Sequence, residues 1–92
     1  MALLTDDEVR QRLARLPDWT RQGDSITNVR KLAGFSAAML YAAAIGHLAE
    51  AANHHPDILI QWNKVTLTLS THSEGGLTDA DFNLAGQISA LG

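Results

Sequence analysis

Ninety-two residues, 46% of them hydrophobic, suit one packed domain rather than a disordered tail. The chain holds no cysteine, which excludes disulfides, thiolate metal sites and a thiol nucleophile. Formal net charge is −3, and the basic residues are lopsided: Arg10, Arg12, Arg15, Arg21, Arg30 and Lys31 come early, and only Lys64 follows. The later half carries Glu50, Asp57, Glu74, Asp79 and Asp81, so it would repel a phosphate backbone, and nucleic acid is not an expected partner. No basic stretch followed by an apolar one opens the chain, so no signal peptide is expected and a cytoplasmic location fits.

Thr5-Asp6-Asp7-Glu8 has the pattern of a capping box, a threonine N-cap with glutamate three residues on. Val9, Leu13 and Leu16 continue at helical spacing, and Pro17 is expected to end this first helix. Trp19 to Gln22 and Ser25 to Lys31 read as two strands joined by a Gly23-Asp24 turn. Gly34 breaks the pattern, and Ser36 is expected to cap a second helix running to about Asn53. From Phe35 to Ala52 only Ser36, His47 and Glu50 are not apolar. The segment is alanine-rich and weakly hydrophobic, with an ionisable residue near its end. It therefore reads as a buried helix rather than a membrane span. Its faces are apolar nearly all round, with Tyr41, Ile45 and Leu48 on one stripe and Met39, Ala42, Ala43 and Gly46 on another. Such a helix is expected to be covered on more than one side, and its small residues permit close approach of a helix from a second subunit.

Pro56 pushes His55 towards an extended conformation. Ile58 to Trp62 and Val65 to Ser70 are strand-like, with Asn63-Lys64 as a two-residue turn. Gly75-Gly76 leads to Thr78, which can cap a last helix with Asp79 and Asp81 in its first turn. The order α-β-β-α-β-β-α predicts one α+β domain over residues 1–92, a four-stranded antiparallel sheet with three helices on one face.

Three of the four histidines, His54, His55 and His72, flank the second hairpin. With Asn63-Lys64 as the turn, Trp62 pairs with Val65, Ile60 with Leu67 and Ile58 with Leu69, and His55 falls opposite His72. His54 then approaches from the helix side. A one-residue slip would change which histidine faces where. Glu50, one helical turn before His54, and Asp81 are candidates to orient an imidazole. Periodicity alone puts Trp62 in the core. His47, mid-helix, stays outside the group, and each histidine taken singly could be an ordinary helix-end residue. A converging set suits acid–base chemistry near neutral pH or a zinc ion. Zinc is disfavoured because adjacent histidines rarely point at one ion and the helical pair of histidines with a glutamate between is absent.

At these residues the chain resembles the pterin-4a-carbinolamine dehydratase family. The matching features are Glu50, His54-His55-Pro56, Trp62, Asn63-Lys64-Val65 and Leu69-Ser70-Thr71-His72, then Gly76-Leu77-Thr78, Asp81 and Asn83-Leu84-Ala85. Trp19 and Phe35 also fit. Departures are small: Asn53 stands where many members have aspartate, and Ala80 where some have arginine. The resemblance implies a hydro-lyase that needs no metal or cofactor. It would convert 4a-hydroxytetrahydropterin to quinonoid dihydropterin, downstream of aromatic amino-acid hydroxylases. It implies His54 and His72 as the acid–base pair and His55 mainly as a pterin ligand. Further substrate contacts are implied from Glu50, Pro56, Trp62, Ser70, Thr71 and Asp81, with Glu50 and Asp81 orienting histidines. A homodimer or homotetramer is implied as well. A non-catalytic protein-binding role on the same fold, or a molybdopterin-related substrate, remain as alternatives.

Overall fold

The computed structural model describes residues 2–91. The elements are α1 (Asp6–Leu13), β1 (Thr20–Gln22), β2 (Ser25–Lys31), α2 (Phe35–Ala52), β3 (Asp57–Gln61), β4 (Lys64–Leu69) and α3 (Asp79–Ser89). A short 3-10 turn, His72–Glu74, lies between β4 and α3. The strands form one antiparallel sheet in the order β1-β2-β4-β3. This is the α+β architecture that the order of elements predicts.

Alternation along the two central strands builds the core. Ile26 of β2 and Val65, Leu67 and Leu69 of β4 point to one face and are fully buried. The helices cover that face with Ala38, Ile45 and Ala49 from α2 and Leu84, Ala85 and Ile88 from α3. The other face carries Val29 and Leu59, which both oppose Thr66 in the ladder and are more than half exposed.

The capping box at Thr5 and Glu8 forms, with each side chain accepting from the other residue's backbone N–H. α1 ends at Leu13, before Pro17 is reached. The chain tightens into i to i+3 bonds (Arg15 N–H to Arg12 O, Leu16 N–H to Leu13 O) and leaves Leu16 in a turn. α2 starts at Phe35 rather than after Ser36. Gly34 is its N-cap, its carbonyl accepts the Ala38 N–H, and no side chain caps the helix. Nor is α2 covered on several sides within one chain: Phe35, Met39 and Leu40 are 54%, 46% and 73% exposed. Its length and mean hydropathy of 1.2 would by themselves suffice for a membrane span, but it lies here as a layer on the sheet.

The second hairpin differs from the expected register by two residues. Ile60 pairs with Val65 and Ile58 with Leu67, and Trp62-Asn63 make the turn. The cause is the neighbouring strand. β2 pairs with β4 out to Lys31 opposite Lys64, so Lys64 already belongs to the ladder. Asn63 is held there as well, its Nδ2 donating to the Leu32 carbonyl at 3.1 Å and its own carbonyl accepting the Leu32 N–H at 2.7 Å. A shift of two preserves facing, so the core residues stay on the core side. Trp62 does not. It sits at the tip with φ of +53°, 69% exposed, rather than in the core.

α2 stops at Asn53, whose backbone is left-handed with φ 51° and ψ 41°. The Asn53 N–H donates to Glu50 O and the His54 N–H to Ala49 O, the paired bonds of a Schellman C-terminus. Asparagine tolerates this conformation and a β-branched residue does not. Asn53→Val should therefore lose about 1–2 kcal/mol in urea denaturation, whereas Asn53→Gly should stay within about 0.5 kcal/mol of wild type. Equal stabilities for the two variants would contradict this account of the helix end.

Candidate active site

The left-handed turn at Asn53 swings His54 away from the helix it follows and towards the start of α3. Its Nε2 lies 2.6 Å from Asp81 Oδ1. The His54 side chain is 14% exposed and Asp81 is fully buried. Asp81 is the third residue of α3 and closes a second capping box. Its Oδ2 accepts the Thr78 N–H at 2.9 Å, and Thr78 Oγ1 accepts backbone N–H groups of the first turn. The same Oδ2 accepts the Thr71 hydroxyl at 2.8 Å. Thr71 Oγ1 and Thr78 Oγ1 are also 2.8 Å apart. A hydroxyl has one proton, and that of Thr71 goes to the carboxylate, so Thr78 donates to Thr71.

A carboxylate at a helix N-terminus sits in favourable potential and is an acceptor only. The His54–Asp81 bond therefore has its proton on Nε2. Nδ1 has no partner among the described residues. His54 lines a depression of about 260 Å³ shared with Thr71, Ser73 and Ala80.

His55 does not join this pair. Pro56 keeps it extended, and its Nε2 lies 2.7 Å from Glu50 Oε1. Both side chains are open to solvent, His55 57% and Glu50 79% exposed. Glu50 thus orients His55 and not His54. The helical i to i+4 relation that would have joined it to His54 ends where Asn53 turns left-handed.

His72 opens the 3-10 turn and is exposed. The loop carrying it is closed by the Thr71–Gly76 bridge, with the Thr71 N–H donating to Gly76 O at 2.8 Å. The His72 side chain lines a depression of about 310 Å³ with Asp57, Thr68 and Ser70. Asp57 and Thr68 are opposed in the ladder and alternate with core residues, so this depression belongs to the sheet face that the helices leave open. His55 is not opposite His72, because the two-residue shift removes that pairing. His54 and His72 reach the same end of the sheet from its two sides, with Ser70-Thr71 between them.

The remaining candidate residues divide. Ser70 donates its hydroxyl to Asp24 O at 2.8 Å, and the Thr71 hydroxyl belongs to the Asp81 network. Pro56 is half-buried beside His55. Trp62 lies at the far end of the hairpin, about 17 Å of strand away at the usual rise per residue, and the chain does not bring it to the histidines. The hydroxyl of Thr78 went unread as part of the site, although the Thr78–Asp81 spacing is itself a capping-box signal. Among the described residues no three His, Asp or Glu side chains converge as metal ligands.

The whole described chain, residues 2–91, matches the family model for pterin 4 alpha carbinolamine dehydratase, and the protein belongs to that family. A relative from Roseiflexus castenholzii, named "Putative pterin-4-alpha-carbinolamine dehydratase", is 52% identical over 98% of this chain and 97% of its own. One of the same name from Nocardia farcinica is 49% identical over 97% of this chain and 94% of its own. The crystal structure of a transcriptional coactivator/pterin dehydratase from Brucella melitensis superposes with a TM-score of 0.93 at 34% identity, covering 98% of both chains. A pterin dehydratase-like RuBisCO assembly factor of the alpha-carboxysome, 22% identical with a TM-score of 0.69 over 80% of this chain and 88% of its own, shares the fold.

The two histidine–carboxylate pairs have nearly equal lengths and unequal burial, so their energies should differ. Asp81→Ala strands a buried imidazole N–H, a hydroxyl and a helix N–H, and should cost about 3 kcal/mol or more. Glu50→Ala breaks a solvated pair and should cost less than about 1 kcal/mol. Thermal denaturation of both variants checks the contrast. Similar losses would show that burial does not set the strength of these contacts.

Proposed function

We propose that this protein catalyses the dehydration of a 4a-hydroxytetrahydropterin to the quinonoid dihydropterin by histidine acid–base transfer. The observation that carries the reading is His54 held on the buried Asp81, its other ring nitrogen without a partner among the described residues, with a second histidine, His72, directly after the Thr71 that bonds the same carboxylate. Family membership and the relatives' names support the substrate class. In the reaction the C4a–O bond breaks as the hydroxyl takes a proton and leaves as water. The proton on N5 departs as the C4a–N5 double bond forms. One imidazole serves as acid and another as base, each contributing typically ~10²–10⁴-fold. His54 and His72 fill these roles, and His55, set by Glu50, binds the pterin. No metal or cofactor takes part. The product would feed a reductase that regenerates the tetrahydropterin used by an aromatic amino-acid hydroxylase, in the cytoplasm.

The open apolar faces of α2 and the sheet support a homodimer or homotetramer. The double name of the Brucella relative favours keeping protein binding as a second reading. Dehydration of chemically prepared 4a-hydroxytetrahydropterin, followed by ultraviolet absorbance in stopped flow, separates the two. Wild type should accelerate loss of water over buffer, and His54→Ala and His72→Ala should each lose more than about tenfold. A chelator should leave the rate unchanged. A folded wild type that does not accelerate the reaction would refute the dehydratase reading and favour protein binding or another pterin. Sedimentation should give an assembly of two or four chains, which Leu40→Glu should weaken. A monomeric wild type would end the proposal of self-association.

A further inference from the structure

Thr71 borders the depression beside His54, but its hydroxyl is taken up inside the protein. The residue is 9% exposed and bonded on both sides, donating to Asp81 Oδ2 and accepting from Thr78. Its backbone meanwhile closes the loop that carries His72: the N–H donates to Gly76 O, and the carbonyl accepts the N–H groups of Glu74 and Gly75 at 3.0 Å. One residue therefore touches the supports of both histidines. We infer that Thr71 is a positioning residue, not a pterin ligand. Its hydroxyl fixes the Asp81 carboxylate, and the carboxylate fixes the His54 imidazole with hydrogen on Nε2 and Nδ1 free.

The physical reason is the sharing of Asp81. Oδ2 is held by two donors, the Thr71 hydroxyl and the Thr78 N–H, from β4's exit and from α3. One donor alone leaves the carboxylate free to rotate about its Cβ–Cγ bond. Two donors from different elements fix its plane, and Oδ1 then presents one lone pair to the ring. Thr78 adds to this by donating to Thr71, which removes any choice in where the Thr71 proton points. Replacing Thr71 with valine keeps the branched shape and removes only the hydroxyl. Serine keeps the hydroxyl and removes only the methyl group.

The effect on turnover rests on the dehydratase reading, and the effect on the imidazole does not. The test is therefore ring-nitrogen NMR of ¹⁵N-histidine-labelled protein without substrate, joined to steady-state kinetics. Wild-type His54 should show the pattern of a ring protonated at Nε2 with Nδ1 bare. The reverse pattern in wild type would overturn the inference with no variant needed. In Thr71→Val the two nitrogens should move towards a mixture of tautomers, and Thr71→Ser should restore the wild-type pattern. Turnover should fall roughly ten- to a hundredfold in the valine variant, the size of one charge-assisted hydrogen bond. KM should change little, and serine should recover the rate. An unchanged His54 pattern in Thr71→Val would overturn the support role, and a rise in KM with kcat intact would make Thr71 a ligand instead.

Discussion

Asp81 has no solvent exposure, and its two oxygens serve two structures at once. Oδ2 caps α3 and takes the Thr71 hydroxyl, and Oδ1 holds His54. A buried carboxylate is tolerable only when donors surround it, because an unpaired one would cost several kcal/mol. Here the donors come from the end of α2, the exit of β4 and the start of α3. The end of α2 is thereby tied to the β4–α3 connection, 27 residues on in sequence, at the point where His54 lies. The helices pack on the sheet through ordinary apolar contacts. Their ends meet at this spot because a charge must be satisfied there.

The same constraint explains why the two histidine–carboxylate contacts are unlike in kind. His54 and Asp81 are shielded, so water competes little for their bond and the ring cannot easily turn. His55 and Glu50 are as close but open to water, where such a pair orders two side chains for little net gain. A fixed imidazole suits proton transfer at a defined atom. A solvated one suits a contact that forms and breaks as a ligand enters and leaves. The difference follows from one residue, Asn53, whose left-handed backbone sends successive histidines to different partners.

What could be read in the sequence was what is set locally. The capping box at Thr5, the Thr78 cap of the last helix, the Gly23-Asp24 turn, the strand alternation and the order of elements depend on residues within a few positions of one another, and they stand as expected. The second hairpin did not, because its register is decided by β2, which claims Lys64 from far away in the chain. Glu50 was paired with His54 on the geometry of a continuing helix, and the helix does not continue. Trp62 looked like core by alternation and became the tip of a turn once the register moved. Asp81 was legible as a helix-start acid able to face the histidines. That it is fully buried, and that Thr71 and Thr78 share it, depends on packing that no local pattern encodes.

A dehydration needs a proton delivered to one atom and removed from another, and a single imidazole cannot do both at once. In the proposed reaction the sheet end would separate the two tasks in space. His54 stands on the helix side, with its free nitrogen fixed by the Asp81 bond. His72 stands on the open side, on a short loop, and is exposed. β4, which ends at Leu69, leads into the Ser70-Thr71 segment between them. In the proposed reaction the locked residue supplies geometry and the exposed one supplies turnover.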